Sequence, residues 1–207
     1  MSRRPAPRCA PGLALAVALA ALTAALGLTG CPKPGDRGTD RPPRENRLQP
    51  GHAPTPFTAD QIRKACPDGH FRKYRVEVEG KPAFFRILRF EKGTPRSTGF
   101  VSQQLDAKGR PFGEQRRTRA LWKVLQAHAS FPEPATRIRT VSLTTPAGTF
   151  QCWLYEVRTT QGGQPHLQRY WFAKSLPGPP VQFDHLVAGK RVFRMVLVSR
   201  GRLRPTP

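Results

Sequence analysis

The residues most able to do chemistry in this sequence are its four cysteines. A cysteine reacts as its thiolate, the nucleophilic form of the side chain. Cys31 directly follows an apolar run, and the two residues before it, Thr29 and Gly30, are small enough for a peptidase to approach the backbone. Cys9 has no apolar run before it. The sequence therefore predicts covalent modification at Cys31 and not at Cys9.

The segment before Cys31 has the pattern of an export signal. Arg3, Arg4 and Arg8 form a basic start without an acidic residue, and residues 13–28 are apolar apart from one threonine and one glycine. These features are typical of a signal peptide. The alternative is an uncleaved anchor helix, but a run of 16 residues is shorter than the roughly 20 that span a bilayer.

The end of this segment, Leu28-Thr29-Gly30-Cys31, resembles the lipobox of bacterial lipoprotein precursors. The resemblance implies that a diacylglyceryl group is attached to the Cys31 sulfur and that the chain is cleaved between Gly30 and Cys31. Acylation of the freed amine, for example with palmitate, would then usually follow. Two or three chains on one residue would hold the protein durably at a membrane lipid surface. Pro32 in the next position favours the outer membrane of the bacterial cell envelope.

The expected organisation has three parts: a signal peptide (residues 1–30), a lipidated cysteine with a Pro-rich tether (31–56) and a periplasmic domain (57–207). Seven prolines and few apolar residues in 32–56 predict an extended, unpacked segment. Within an exported domain, Cys66 and Cys152 are the remaining thiols, and an oxidising compartment favours a disulfide between them. The alternative is two separate buried thiols.

The chain is strongly basic, with 35 Lys and Arg against 13 Asp and Glu. Removal of residues 1–30 takes away three arginines and no acid, so the formal charge falls from +22 to +19. Such a charge attracts anionic partners, and an exported protein would meet anionic lipid, lipopolysaccharide or acidic glycan. The compartment argues against a nucleic-acid role. Protein partners are not indicated.

No pattern predicts catalysis, a metal site or a cofactor. The five histidines include no pair three or four residues apart on a helix, and no Cys-x-x-Cys is present. His128 fits a hydrogen-bonded core histidine on an apolar helix face. Asp184 and His185 are adjacent in a predicted strand and so point to opposite faces. An enzyme would need a cleft where His185 or His166 meets a nucleophile, and we therefore expect a non-enzymatic protein.

The predicted fold of the domain is α+β. A capping box at Thr58 and Gln61 predicts a short first helix, and residues 118–130 have the periodicity of one amphipathic helix. Around them, period-two patterns separated by short turns predict a curled antiparallel sheet of about eight or nine strands with the amphipathic helix across it. The turns include Gln161-Gly162-Gly163-Gln164.

The C-terminal half, with TPAGTFQCWLYEV and YWFAKSLPGPPV, resembles uncharacterised bacterial envelope lipoproteins, and the architecture is similar to the lipoprotein-carrier fold of outer-membrane lipoprotein receptors. That fold implies an apolar cavity. The large aromatic residues that would line it, with core packing as the alternative, are Trp122, Trp153, Tyr170, Trp171, Phe172 and Phe193. The expected function is binding of an anionic envelope component or an apolar ligand. The alternative is a structural or assembly subunit of an envelope complex.

Overall fold

The computed structural model describes residues 41–203 of the chain. The predicted signal peptide, Cys9, the lipobox with Cys31 and the start of the tether lie outside the described residues. Within these residues there are two α-helices, α1 (Ala59–Ala65) and α2 (Trp122–Ala127). The strands are β1 (His70–Val78), β2 (Phe84–Glu91), β3 (Ser97–Leu105), β4 (Pro111–Leu121), β5 (Thr136–Thr145), β6 (Gly148–Gln161), β7 (Gln164–Ala173), β8 (Gln182–Val187) and β9 (Lys190–Arg202).

All nine strands form one antiparallel sheet in the order β4-β3-β2-β1-β9-β8-β7-β6-β5. Strands that follow each other in sequence pair with each other, apart from β4 and β5, which α2 separates. In addition, β1 pairs with β9. β5 also approaches β9 although three strands lie between them, so the sheet is curled. The predicted α+β fold with a curled antiparallel sheet is therefore confirmed. β4 and β5 are its two edges.

The first helix begins as the sequence predicts. The Thr58 hydroxyl accepts a hydrogen bond from the Gln61 backbone N–H at 3.2 Å, and the Gln61 side chain accepts one from the Thr58 N–H at 2.9 Å. This capping box satisfies two N–H groups that have no partner within the helix. Phe57 and Ile62 on either side are both buried, and they attach the helix start to the core.

The second helix is shorter than predicted. Residues 118–121 continue β4, where Leu121 pairs with Ser97, and α2 begins only at Trp122. The buried face therefore shifts to Trp122, Gln126 and Ala129. Leu121 is 53% exposed, and His128, which we expected in the core, is exposed. Pairing with β3 keeps residues 118–121 in the strand, although their spacing also fits a helix. The prediction for His128 is wrong because the shorter helix turns a different face to the core.

Residues 42–56 were predicted to belong to an unpacked tether, but they lie against the domain. Asn46 and Thr55 are buried and bond each other through Asn46 Nδ2 to Thr55 O (3.2 Å) and Thr55 Oγ1 to Asn46 O (2.9 Å). The Tyr155 hydroxyl donates to Pro54 O at 2.7 Å, and Gln126 donates to Thr55 Oγ1 at 3.0 Å. Hydrogen bonds to the core and the burial of Ala53 thus order a segment that has few apolar side chains.

Two clusters of buried side chains form the core, and we call them the helix-side cluster and the second cluster. The helix-side cluster lies between the helices and the sheet and includes Phe57, Ile62, Cys66, Phe90, Trp122, Ile138, Tyr155 and Phe172. The second cluster draws on β1, β6, β7 and β9 and includes Tyr74, Val76, Phe150, Cys152, Ala173, Leu176, Val181 and Leu197.

Candidate functional site

The six aromatic residues predicted to line a cavity do not meet in one place. Tyr170 and Phe172 border a cavity of about 190 Å³ between the helices and the sheet. Trp122 borders a different surface groove, and its ring is largely buried. Trp153 packs against the helix-side cluster, while Trp171 and Phe193 pack against the second cluster. Most of the six therefore serve core packing.

The 190 Å³ cavity is apolar but small. Its walls include Phe57 and Phe172, whose rings meet edge to face at 6.4 Å, and Tyr170, which stacks on Phe131 at 4.8 Å. Ligand pockets are typically about 300–1,000 Å³. The space between helices and sheet is therefore too small for an amphiphile with a long acyl chain.

A larger apolar groove lies at one end of the first four strands, where the β1–β2 turn and the β3–β4 turn are. It has a volume of about 720 Å³ and runs between the β1–β2 turn and the β3–β4 turn. Phe84 and Phe112 form its base, with ring centroids 5.8 Å apart and planes nearly perpendicular, and Val78 and Ala83 extend the walls. Phe112 is 41% exposed. We call this feature the hairpin groove.

Charged residues from the same two turns surround the hairpin groove. Lys81, Lys108 and Arg110 supply three cations, and Asp106 supplies one anion. Asp106 bonds the Arg110 guanidinium at 2.8 Å and accepts the backbone N–H groups of Lys108 and Arg110 at 2.9 Å each. Bonds from the Arg110 backbone and side chain lower the pKa of Asp106, so the carboxylate stays ionised. The rim keeps a net charge of +2.

Asp184 and His185 make separate contacts, as strand alternation requires. Asp184 is buried and lies 3.7 Å from Arg194 and 3.3 Å from the Gln182 amide nitrogen. Burial raises the pKa of Asp184, and the Arg194 charge opposes that rise. His185 instead meets His166 on β7, with 2.9 Å between His185 Nε2 and His166 Nδ1. The two residues therefore do not act as an acid–base pair.

The predicted disulfide is not formed in this structure. Cys66 and Cys152 are both free and buried, and they belong to different core clusters. Cys66 follows α1 and donates to Pro177 O at 3.7 Å, whereas Cys152 in β6 donates to Phe150 O at 3.7 Å. Each thiol is thus held by its own strand or loop, and the alternative of two separate buried thiols is the one the structure shows.

Both thiols should resist modification in the folded protein. Burial raises the pKa of Cys66 and raises the pKa of Cys152 to about 11, so little thiolate forms at pH 8. A chromogenic disulfide reagent at pH 8 should titrate neither thiol in the folded protein and both thiols after guanidinium unfolding. Cys66→Ser and Cys152→Ser should each remove one of the two. If unfolding releases no thiol until a reductant is added, the two residues form a disulfide.

Two further features bear on the class of protein. Within residues 41–203, no group of three or more His, Cys, Asp or Glu side chains is arranged to hold a metal ion. Over the same range, no helix combines the length and the apolar character needed to cross a bilayer.

Comparisons with known proteins give distant likenesses among solved structures. No protein-family profile and no curated protein matches the sequence. Among solved structures, the fold is similar to crystal structures of MucB, one of them in complex with MucA(peri). That complex gives a TM-score of 0.45 at 11% identity and covers 70% of this chain and 54% of the other. The structure of MucB itself gives 0.46 at 10%, with coverages of 72% and 58%.

The match therefore spans little more than half of the MucB chains. At these scores the likeness carries no conclusion about function.

Proposed function

We propose that this chain is a lipid-anchored, non-enzymatic protein of the bacterial cell envelope whose domain binds an anionic amphiphile in the hairpin groove. The observation that carries the proposal is the groove itself, about 720 Å³ of apolar space with cations at its rim. Its volume is that of a small-molecule site. An exposed apolar surface with a polar rim is a feature that soluble domains seldom keep without a ligand or a partner.

The apolar floor suits a hydrocarbon chain. Phe84, Phe112 and Val78 offer ring and methyl surface, and the Gln104 side chain, on the strand between the two phenylalanines, adds one polar group. Each methylene that leaves water for such a surface contributes about 0.8 kcal/mol. A chain of several carbons therefore supplies enough energy for binding, but no direction for the headgroup.

The rim supplies that direction. Lys81 and Lys108 are exposed and stand on the two turns that flank the groove. Arg110 is engaged by Asp106, so the two lysines are the cations available to a phosphate or carboxylate headgroup. A cation near an anionic lipid surface contributes about 1 kcal/mol. The preference for an anionic headgroup thus depends on these lysines.

The proposed anchor would keep the domain close to lipid. The described residues begin at residue 41, so nine residues (32–40) lie between them and Cys31. A chain spans at most about 3.6 Å per residue, which gives a reach of roughly 35 Å. This is much shorter than a tether extending to residue 56 would allow. The groove would therefore work within a short distance of the membrane that supplies its ligand.

Short-chain phospholipids below their critical micelle concentration test the proposal. Dihexanoyl phosphatidylglycerol should bind the polypeptide from residue 32 onward more tightly than dihexanoyl phosphatidylcholine, as measured by titration calorimetry. Ala83→Trp should abolish binding of both lipids because the indole fills the groove. Lys81→Gln with Lys108→Gln should weaken only the anionic lipid, by roughly 30-fold for a loss of about 2 kcal/mol.

Lys64→Gln is the matched control, because Lys64 is exposed on α1 and does not line the groove. It should leave both affinities unchanged. Equal affinity for the two lipids, or full binding by Ala83→Trp, would contradict the proposal.

A second candidate function, an assembly subunit, is favoured by the open edge at β4. Almost every residue of β4 is exposed, and Arg116, Arg117 and Arg119 stand along it. An extended acidic segment of a partner could add a strand there through backbone hydrogen bonds. Charged edge strands also protect against unwanted pairing, and Arg117 already bonds Glu91 at 3.0 Å. The edge therefore supports this candidate less directly than the groove supports lipid binding.

A further inference from the structure

His166 and His185 meet across two neighbouring strands. In the β7–β8 register, His185 lies directly opposite Gln168, and His166 lies two residues before Gln168 on β7. Residues two apart in a strand share a face, so the two imidazoles are diagonal neighbours. His166 Nδ1 and His185 Nε2 are 2.9 Å apart, and the ring centroids are 5.1 Å apart.

The pair is set apart from the other histidines by its surroundings. His52 bonds Gln49 and Ser130. For His70, burial and then the charges of Arg72, Arg202 and Arg200 lower the pKa. The contact between His166 and His185, by contrast, joins two imidazoles, and each ring in its neutral form keeps one nitrogen that can bind a metal ion.

We propose that His166 and His185 form a two-imidazole binding site for a late first-row divalent metal ion, with Cu²⁺ as the preferred ion. Imidazole nitrogens lie about 2.0–2.1 Å from such a metal. Two ligands at that distance and at a right angle, as adjacent ligands stand in a tetragonal Cu²⁺ site, are about 2.9 Å apart. The facing nitrogens of His166 and His185 have this separation in their hydrogen bond, and both rings would turn on metal binding so that their lone pairs converge on the ion.

Proton balance is simple in this site. In the absence of metal, one ring donates its N–H to the other across the 2.9 Å contact. When the metal binds, that proton moves to the outer nitrogen of the same ring, and both facing nitrogens present lone pairs. Both rings stay neutral, no oxidant or reductant is involved, and the metal keeps its charge.

Both imidazoles are half-buried, so water reaches the pair and would complete the metal coordination.

The position of the pair separates this site from the hairpin groove. The groove is formed by β1–β4 and their turns, whereas the histidines lie on β7 and β8. Metal binding at the histidines would therefore be independent of lipid binding at the groove.

Titration of the full lipidated protein in detergent with Cu²⁺, followed by electron paramagnetic resonance, tests the proposal. We expect one tetragonal Cu²⁺ signal with splitting from two nitrogens. His166→Gln and His185→Gln should each weaken binding at least tenfold. His128→Gln, at an exposed histidine next to α2, is the matched control and should have no effect.

The order of metals provides a second measurement, which does not depend on any variant. Cu²⁺ should bind more tightly than Ni²⁺ or Zn²⁺, as expected for a site of two imidazoles and water. The proposal is overturned if the double variant His166→Gln/His185→Gln keeps the two-nitrogen signal. It is overturned equally if the wild-type protein gives only the signal of aqueous copper.

Discussion

Replacing Arg72 with methionine should lower the free energy of unfolding by about 3–5 kcal/mol. The Arg72 side chain is buried within the domain, and its guanidinium donates to three backbone carbonyls of the loop between β7 and β8. The acceptors are Leu176 O at 3.5 Å, Pro177 O at 2.6 Å and Pro179 O at 2.5 Å. Methionine fills similar space but donates to none of these carbonyls, so only the weak contact from the Cys66 thiol to Pro177 O remains.

The same loop shows how closely the guanidinium is enclosed. Gly178 has φ of +117°, and a Cβ at this position would lie 3.1 Å from Arg72 Nη2 and from Cys66 Sγ. Only glycine fits both the backbone conformation and the space. The loop, β1 and the end of α1 are therefore joined by one buried cation, and its loss should affect the entire domain.

Equilibrium unfolding in guanidinium measures this effect. Arg72→Lys keeps the charge but cannot reach all three carbonyls, so an intermediate loss is expected. Arg75→Met on the same strand is the control, because the Arg75–Glu77 pair is exposed and such pairs contribute at most about 1 kcal/mol. A loss for Arg72→Met no larger than the loss for Arg75→Met would show that the carbonyl contacts do not stabilise the fold.

The second large effect is expected at Cys31. Cys31→Ser should abolish fatty-acid labelling and leave the precursor uncleaved, because a serine hydroxyl is not ionised at neutral pH and cannot replace the thiolate as the acceptor of the lipid. The unlipidated chain should then leave the detergent phase, since each acyl methylene contributes about 0.8 kcal/mol to membrane binding.

Radiolabelled palmitate incorporation, precursor size and detergent partitioning measure the three consequences. Cys9→Ser is the control and should behave as wild type, because Cys9 lies within the predicted signal peptide and has no apolar run before it. Labelling that persists in Cys31→Ser would show that the lipobox resemblance is misleading.

Local sequence signals predicted most of the fold. Period-two patterns indicated every strand, and glycines marked the tight turns; Gly162 and Gly163, with φ of +57° and +75°, form the two-residue turn between β6 and β7. The capping box at Thr58 was confirmed as well. These features depend on neighbours within a few residues, so they can be recognised without knowledge of the tertiary structure.

The errors arose where tertiary contacts decide the local structure. Residues 118–121 have helical spacing, but pairing with β3 makes them strand. Residues 42–56 have few apolar side chains, but hydrogen bonds to Gln126 and Tyr155 help to order them. Cys66 and Cys152 suggested a disulfide by elimination, but the fold places them in different clusters.

The candidate sites were hidden for a similar reason. Phe84 and Phe112 belong to different hairpins, and only the β2-β3-β4 order brings their rings together. His166 and His185 are 19 residues apart, a spacing with no meaning until the β7–β8 register is known. Aromatic residues of the core attracted attention as cavity candidates because size alone does not distinguish a packed ring from one that faces a ligand.

Photo-crosslinking in living cells tests the central claim most directly. A photoreactive phenylalanine in place of Phe112, which lines the groove and is matched in size, should yield an adduct with the mass of an anionic lipid, identified by mass spectrometry of the purified protein. The same amino acid in place of Gln115, on the exposed edge strand β4, should yield no lipid adduct. Protein adducts alone at position 112, or no adduct there, would contradict lipid binding in the hairpin groove.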